Sequence, residues 1–264
     1  MAFDGITIAA LAQELNDTLA GGRIAKIAQP ENDELLLTIK TPGGQKKLCI
    51  SASASLPLIY LTDDNKPSPM TAPGFCMLLR KHIGNGRILS VRQPSLERVL
   101  FFDIEHLDEM GDLCKKILIA EIMGKHSNII FCDDKSRIID SIKHVSAQMS
   151  SVREVLPGRE YFIPETTKKE DPLHADRELF IQTLSSSSFP LSRALYTGFT
   201  GISPVVAEAI CNLYGLESRK TAKDMQEEKV IHTYKPFSYY KEQISTLEFS
   251  HELNYDKKTP TTYY

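Results

Sequence analysis

The chain contains 264 residues, of which 42% are hydrophobic and 25% are charged, and its formal net charge at pH 7 is -3. This composition excludes a chain that is disordered throughout, because it supplies enough apolar side chains to build a core. The sequence has no apolar run of about 18 residues and no basic leader followed by an apolar stretch, so we expect a cytoplasmic protein without a membrane span. The five cysteines form no CxxC pair, which argues against a disulfide framework or a structural zinc site.

The first part of the chain predicts one helix followed by four short strands. Ile8, Leu11, Leu15 and Leu19 recur at helical spacing, and Gly21-Gly22 ends the pattern. Four β-rich runs then follow, each bounded by Gly, Pro, Asn or Asp. They are Arg23 to Ala28, Leu35 to Lys40, Lys47 to Ser51 and Leu58 to Leu61.

The same pattern recurs further along the chain. Gly22 to Pro30 matches Gly86 to Pro94 at an offset of 64 residues, and two later pairs of segments match in the same order. The second copy begins with a helix that we expect to be capped at Thr71 and to have Pro73 in its first turn. We therefore predict an α+β fold with an internal duplication, spanning residues 5–64 and 73–134. Its two four-stranded sheets are expected to form a β-sandwich flanked by two helices.

The second copy is the more basic one. Six cationic or titratable side chains lie within nineteen residues, which is enough for several phosphate contacts. They are Arg80, Lys81, His82, Arg87, Arg92 and Arg98. The alternative is structural, because cations in the last turn of a helix complement its dipole and Arg98 can pair with an acid across a sheet.

Two short polar segments of the second copy are candidates for recognition. In Glu97-Arg98, the arginine can clamp a phosphate or stack on a base, and the glutamate can accept a hydrogen bond from a base or a ribose. The alternative is a surface ion pair between strands. Lys125 to Asn128 predicts an exposed turn, where polar side chains serve either recognition or only the turn itself. Asp4 precedes the first helix, so its simplest role is that of an N-cap.

A charged, proline-containing linker from Thr167 to Asp176 precedes a helical segment. In that segment, Gly198, Gly201, Ile202 and Ser203 form the turn of a predicted helix-hairpin-helix motif, which directs backbone N–H groups at a phosphate. The alternative is an ordinary helical hairpin packed on its neighbours. Because the polar, tyrosine-rich stretch from Tyr239 stops at Tyr264, we expect the chain to be an N-terminal fragment.

The sequence shows no motif for catalysis or for a cofactor. It contains no GxxxxGK[ST] phosphate loop, no GxSxG elbow and no HExxH pair. Its histidines do not lie at ligand spacing from cysteines or carboxylates. We therefore expect no active site, no cofactor and no metal.

Several segments resemble the NFACT family, in its RqcH-type branch, and the resemblance covers nearly the whole chain. They are Met77 to His82, Glu97-Arg98, Glu121 to Asn128 and Ile139 to Lys143. The resemblance implies an N-terminal domain (1–170) similar to that of formamidopyrimidine-DNA glycosylases and a helix-hairpin-helix domain (171–232). A returning segment (233–264) is expected to precede a coiled coil that this chain does not contain.

The resemblance also implies a function in ribosome-associated quality control. Such proteins bind the large ribosomal subunit that carries peptidyl-tRNA and recruit alanyl-tRNA for untemplated alanine tailing. The family's acid–arginine pair matches Glu97 and Arg98, with Glu in place of the usual Asp, and a functional triplet matches Glu121, Ile122 and Met123. The complete set of expected tRNA-binding residues is Asp4, Arg80, Lys81, Arg87, Glu97, Arg98, Lys125 and His126.

The same resemblance bears on two other functions, glycosylase activity and fibronectin binding. Glycosylases need an N-terminal proline as nucleophile, whereas Ala2 and Phe3 follow Met1 here, so glycosylase activity is not expected. Members of the family are also called fibronectin-binding protein A, and a surface adhesin that binds fibronectin is the alternative function.

Overall fold

The computed structural model describes residues 3–164, 168–213, 215–221, 227–246, 249, 252–256 and 259–263. The chain forms two compact units. The sheet unit consists of Ala12–Pro94 and Val99–Thr166, and the helical unit consists of Met1–Leu11, Ser95–Arg98 and Thr167–Tyr264. The domain limits of 1–170, 171–232 and 233–264 stay a prediction. The compact units have other limits, because Met1–Leu11 and Ser95–Arg98, two segments of the predicted first domain, group with Thr167–Tyr264.

The sheet unit contains nine antiparallel strands. They are β1 (Arg23–Glu31), β2 (Glu34–Thr41), β3 (Gly44–Ser51), β4 (Leu58–Thr62), β5 (Arg87–Arg92), β6 (Val99–Leu107), β7 (Leu113–Glu121), β8 (Asn128–Asp133) and β9 (Ile138–Ser141). The four strands predicted for the first copy are confirmed, with slightly wider limits. The expected pair of separate sheets is wrong, because β1 and β5 join all nine strands in the order β4-β3-β2-β1-β5-β6-β7-β8-β9.

The join between β1 and β5 follows the offset of the sequence repeat. Arg23 pairs with Arg87 across the join. The Ile24 amide donates to the Gly86 carbonyl at 2.9 Å, and the Ile88 amide donates to the Gly22 carbonyl at 2.9 Å. Each bond is therefore the other one shifted by the repeat, as a pseudo-two-fold arrangement requires. The duplication itself stays a prediction.

Two helices belong to the repeated pattern. Helix α1 (Gly5–Leu19) buries Ile8, Leu15 and Leu19 of its predicted apolar face, and Leu11 is partly buried. Helix α2 (Gly74–Ile83) contacts β1 and β6 and buries side chains that include Phe75 and Leu79. The expected cap differs, because Pro73 is itself the N-cap and no side chain caps the helix. A proline there still supplies a fixed φ for the start of the helix.

The described part of the helical unit contains four further helices and a hairpin. They are α3 (Arg177–Ser186), α4 (Leu191–Gly198), α5 (Pro204–Leu213), α6 (Glu227–Thr246), β10 (Glu252–Asp256) and β11 (Thr259–Tyr263). The core of this unit is aromatic: the Phe180 ring centroid lies 4.5 Å from that of Phe237 and 5.5 Å from that of Phe199. Among the described residues, no helix has both the length and the apolar character needed to cross a membrane.

Candidate nucleic-acid interface

Three backbone segments of the helical unit meet at the turn between α4 and α5. Gly201 lies in this turn with a φ of +76°, and its carbonyl accepts a hydrogen bond of 3.0 Å from the Gly5 amide. A Cβ atom at Gly201 would overlap the Leu96 side chain, and one at Gly5 would overlap the Leu96 carbonyl. Both positions require glycine, because the backbones approach too closely for any side chain.

A polar contact closes the same junction. The Ser203 hydroxyl donates to Asp4 Oδ2 at 2.6 Å, and Asp4 Oδ1 accepts from both the amide and the hydroxyl of Thr7 at 2.9 Å. Ser203 also accepts a hydrogen bond of 3.3 Å from the Val206 amide at the start of α5. Asp4 therefore acts as the N-cap of α1, which is the simpler of its two predicted roles.

The residues of the predicted phosphate-binding hairpin make contacts inside the helical unit. Ile202 and Ser203 are buried, and Gly201 contacts Gly5 and Leu96. Gly198 lies against Thr183, where a Cβ atom would be 2.7 Å from the Thr183 methyl group. The turn thus packs on its neighbours, as the structural alternative expected. Phosphate binding by these four residues stays a prediction that the internal contacts do not favour.

The segment Ser95–Arg98, called the Arg98 segment below, is anchored at this junction. Ser95 has a φ of +50° and hydrogen-bonds to the Asp171 side chain. Leu96 is only 2% exposed. Arg98, by contrast, is exposed and forms no salt bridge with any residue that the structure describes. The alternative of a cross-strand ion pair is therefore not observed, and the guanidinium group faces solvent.

Lys169 is a second cation whose pKa responds to the charge of Arg98. The surrounding protein removes water from its ammonium group, which lowers the pKa of Lys169; the charge of Arg98 lowers this pKa further, and Glu97 acts in the opposite direction. Its Nζ atom donates to the Tyr196 carbonyl at 2.8 Å. The charges of Arg98 and Glu97 thus both act on the ammonium group of Lys169. Lys169 is not among the predicted residues, because it falls in a segment whose composition predicts a linker.

In the sheet unit, three predicted tRNA-binding cations are exposed but have partners. Arg80 Nε donates to the Ile27 carbonyl at 2.8 Å. Lys81 pairs with Glu109 at 3.1 Å and Arg87 pairs with Glu105 at 3.7 Å. Exposed pairs of this kind contribute about 0–1 kcal/mol, so a phosphate can compete for Lys81 and Arg87. Arg80 also connects α2 to β1.

The turn between β7 and β8, Met123–Ser127, presents two further predicted residues and is called the Gly124 turn below. Lys125 and His126 are exposed in a 3-10 helix at its centre. The Ser127 hydroxyl accepts a hydrogen bond of 2.8 Å from the Met123 amide, which closes the turn. Asn128 holds its far end, because it donates to the Lys143 carbonyl at 2.9 Å and accepts from the Lys143 amide at 3.1 Å.

A buried ion pair lies beneath the Gly124 turn. Glu121 is 0% exposed, and both of its oxygens accept hydrogen bonds of 2.6 Å from Arg153 Nη2. The Tyr161 hydroxyl donates to the same carboxylate at 2.9 Å. Burial raises the pKa of Glu121, and the Arg153 guanidinium and the Tyr161 hydroxyl act in the opposite direction.

Two of the three residues of the predicted functional triplet are buried. Glu121 and Ile122 are inside the protein, and only Met123 is partly exposed. The side chains of the first two residues are therefore inaccessible to a partner in this conformation. Arg153 and Tyr161 are not predictable from the sequence, because they follow Glu121 by 32 and 40 positions and no local pattern connects them.

Comparison with known proteins places these features in one family. A family model described as the NFACT N-terminal and middle domains matches residues 4–264. The chain belongs to the NFACT family. The resemblance stated from the sequence is thereby confirmed, and the NFACT chain has the mixed α and β structure with a large antiparallel sheet that its structural neighbours share.

Two relatives and one solved structure are similar to this NFACT chain. "Rqc2 homolog RqcH" of Bacillus subtilis is 38% identical over 222 residues, which cover 84% of this chain and 39% of the relative. "Ribosome quality control complex subunit NEMF" of Homo sapiens is 23% identical over 171 residues, which cover 65% of this chain and 15% of the relative. This chain thus spans well under half of the length of these relatives. The N-terminal structure of the fibronectin/fibrinogen-binding protein from Streptococcus suis superposes with a TM-score of 0.79 at 31% identity, covering 99% of this chain and 90% of that one.

Proposed function

We propose that this NFACT chain is the tRNA-binding and large-ribosomal-subunit-binding part of a cytoplasmic ribosome-associated quality control factor. The whole factor would recruit alanyl-tRNA, so that the ribosome carrying peptidyl-tRNA adds alanine without a template to the C-terminus of a stalled nascent chain. The names of the relatives support the connection to ribosome quality control. Peptide bonds would form in the ribosome's own catalytic centre, and this chain would position substrates without an active site of its own.

The exposed guanidinium of Arg98, on a segment anchored by the buried Leu96, is the observation that carries the proposal. A guanidinium group can bind a phosphate through two parallel N–H groups. Glu97 would accept a hydrogen bond from a ribose hydroxyl or a base amine. Lys125 and His126 of the sheet unit would add phosphate contacts from the Gly124 turn.

Filter binding of tRNA at two salt concentrations tests the proposal. Arg98→Ala is expected to weaken binding and to lower the salt dependence by about one phosphate contact. Arg177→Ala is the matched control, because Arg177 is also an exposed arginine of the helical unit. It should bind tRNA like the unchanged chain. Equal affinities of the Arg98 variant and the unchanged chain would contradict the proposal.

The finer fold assignments belong to the same proposal. The α4–α5 pair would serve as the helix-hairpin-helix element, and the sheet unit would correspond to the glycosylase-like N-terminal domain. In this arrangement the hairpin would present the Arg98 segment to RNA, since its own turn contacts Gly5 and Leu96.

A fibronectin-binding adhesin is the second candidate, and the name of the similar Streptococcus suis protein favours it. Binding of the purified chain to immobilised fibronectin, with tRNA as competitor, separates the two functions. The quality-control proposal predicts that tRNA binds in solution whether or not fibronectin is present. Binding to fibronectin together with no retention of tRNA would favour the adhesin.

A further inference from the structure

An exposed aromatic side chain lies next to the buried ion pair of the sheet unit. Phe162 is 49% exposed, whereas its neighbour Tyr161 is buried in a core cluster with Val99 and Phe101. Tyr161 holds the segment to the core and Phe162 is left facing solvent.

The backbone of Phe162 is fixed by the arginine that neutralises Glu121. Arg153 Nη1 donates to the Phe162 carbonyl at 2.6 Å, while its Nη2 binds the Glu121 carboxylate. The guanidinium carbon also lies 5.5 Å from the centre of the Tyr161 ring. One planar group therefore connects the Phe162 segment to the end of β7, from which the Gly124 turn begins.

Apolar contacts support the same arrangement. Met123 of the Gly124 turn and Ile163, the residue after Phe162, both pack against the core cluster that contains Phe101 and Tyr161. Phe162, Lys125 and His126 are thus exposed on two segments whose adjacent residues pack against one core cluster. The Gly124 turn contains no acidic residue.

We propose that Phe162 stacks on an unpaired nucleobase, while Lys125 and His126 contact the adjoining phosphates. This inference rests on the proposed RNA-binding function and names the part of the RNA that the sheet unit recognises. Single-stranded segments are recognised by aromatic side chains that stack on bases beside cations that follow the backbone. A ring on an immobilised backbone suits this role, because little conformational freedom remains to be lost on binding. Arg153 is a positioning residue in this site.

The site favours RNA over a protein partner because of its charge. An apolar protein surface would bury Phe162 but would leave the Lys125 ammonium group desolvated without a counter-charge, which is unfavourable. A nucleotide offers both a flat apolar face and an anion.

Fluorescence of RNA that carries 2-aminopurine in an unpaired 3′ overhang tests the inference, with a fully paired RNA duplex as the second probe. The unchanged chain and Phe162→Tyr should bind the overhang RNA and quench its fluorescence upon stacking. Phe162→Ala should bind this RNA about tenfold more weakly, which corresponds to the usual contribution of one stacked base. Its affinity for the duplex should stay unchanged.

Phe189→Ala is the matched control, because Phe189 is an exposed phenylalanine of the helical unit. It should retain both affinity and quenching. Arg153→Lys keeps the charge but loses the forked geometry, so it should reduce quenching more than it reduces duplex binding. Circular dichroism melting of each variant shows whether the chain is folded.

The outcomes separate this inference from the function on which it rests. If the unchanged chain binds neither RNA, the proposed function and this inference both fail. If it binds both RNAs and Phe162→Ala keeps full affinity and quenching, the stacking site alone is overturned. A Phe162→Ala variant that loses fibronectin binding and keeps RNA binding overturns it as well.

Discussion

The hydroxyl of Ser203 donates a hydrogen bond of 2.6 Å to the carboxylate of Asp4, although 199 positions separate the two residues. Each of them also caps a helix, since Asp4 accepts from Thr7 in α1 and Ser203 accepts from Val206 in α5. This bond lies beside the contact between Gly5 and Gly201. The residues around the Arg98 segment therefore hold two helix starts together.

Removing either partner of this bond is expected to destabilise the helical unit. Asp4→Ala and Ser203→Ala should each lower the free energy of unfolding by about 1–2 kcal/mol, because each loses a cap and a charge-assisted hydrogen bond. The double variant should cost less than the sum of the two, since both single variants lose the same bond. Urea unfolding of the four proteins measures this coupling. Strictly additive effects would show that the bond contributes nothing.

Gly201→Ala is expected to be far more harmful than alanine at a glycine with a similar backbone. Gly111 has a φ of +86° and no atom within 4 Å of the place that an alanine methyl group would take, so Gly111→Ala adds only backbone strain of about 1 kcal/mol. Gly201→Ala adds the same strain and also a clash with Leu96, about 1–3 kcal/mol more. Thermal unfolding of both variants compares them. Equal losses of stability would mean that the backbones at Gly201 can move apart.

Breaking the buried ion pair should cost more than replacing it. Arg153→Ala leaves the Glu121 carboxylate buried without its cation, and we expect a loss of about 3–5 kcal/mol. The double variant Glu121→Leu with Arg153→Met should recover much of that loss, because it leaves no unpaired charge. Denaturant unfolding of both proteins is the measurement. A double variant as unstable as Arg153→Ala would rule out charge burial as the cause.

Acid should weaken the sheet unit partly through Asp103. Burial raises the pKa of Asp103, but hydrogen bonds from Arg92 and Ser90, with Oδ2 at 2.7 Å from each donor, lower it overall. A carboxyl whose pKa is lower in the folded state contributes stability above its unfolded pKa of about 3.9 and loses that contribution as pH falls through the folded value. Asp103→Asn should therefore show a smaller loss of stability between pH 5 and about pH 2. The free energy of unfolding of both proteins, measured across this pH range, tests the prediction. If it falls equally with pH in both, Asp103 is excluded as a source of acid sensitivity.

Local patterns predicted most of the elements. The strands of the first copy alternate or form short apolar runs between Gly, Pro and Asn residues, and their limits in the structure differ by only a few residues. The repeat also predicted the second set of strands. What it did not predict is the single sheet, because whether two half-sheets stack or join at their edges depends on backbone pairing that side-chain periodicity does not encode.

The site was predicted only as far as its residues lie together in the sequence. Arg98, Lys125 and His126 are exposed, as expected for charged and polar residues in short segments between predicted strands. The burial of Glu121 does not follow from any local pattern, because it depends on Arg153 in a distant loop. In the same way, glycine at position 201 indicated a turn, but only the fold shows that Leu96 and Gly5 fill the space beside it.

The edge at which β1 meets β5 is self-complementary. The amides of Gly21 and Ile24 donate to Ile88 and Gly86, and those of Asn85 and Ile88 return the same two bonds to Ile24 and Gly22. The pattern of these bonds is two-fold symmetric, like that of an isologous dimer interface. Because both sides of this contact belong to one chain, their sequences can differ. The turn after β7 carries Lys125 and His126, whereas the residues that follow β3, Ala52 to Ser55, carry no ionisable side chain.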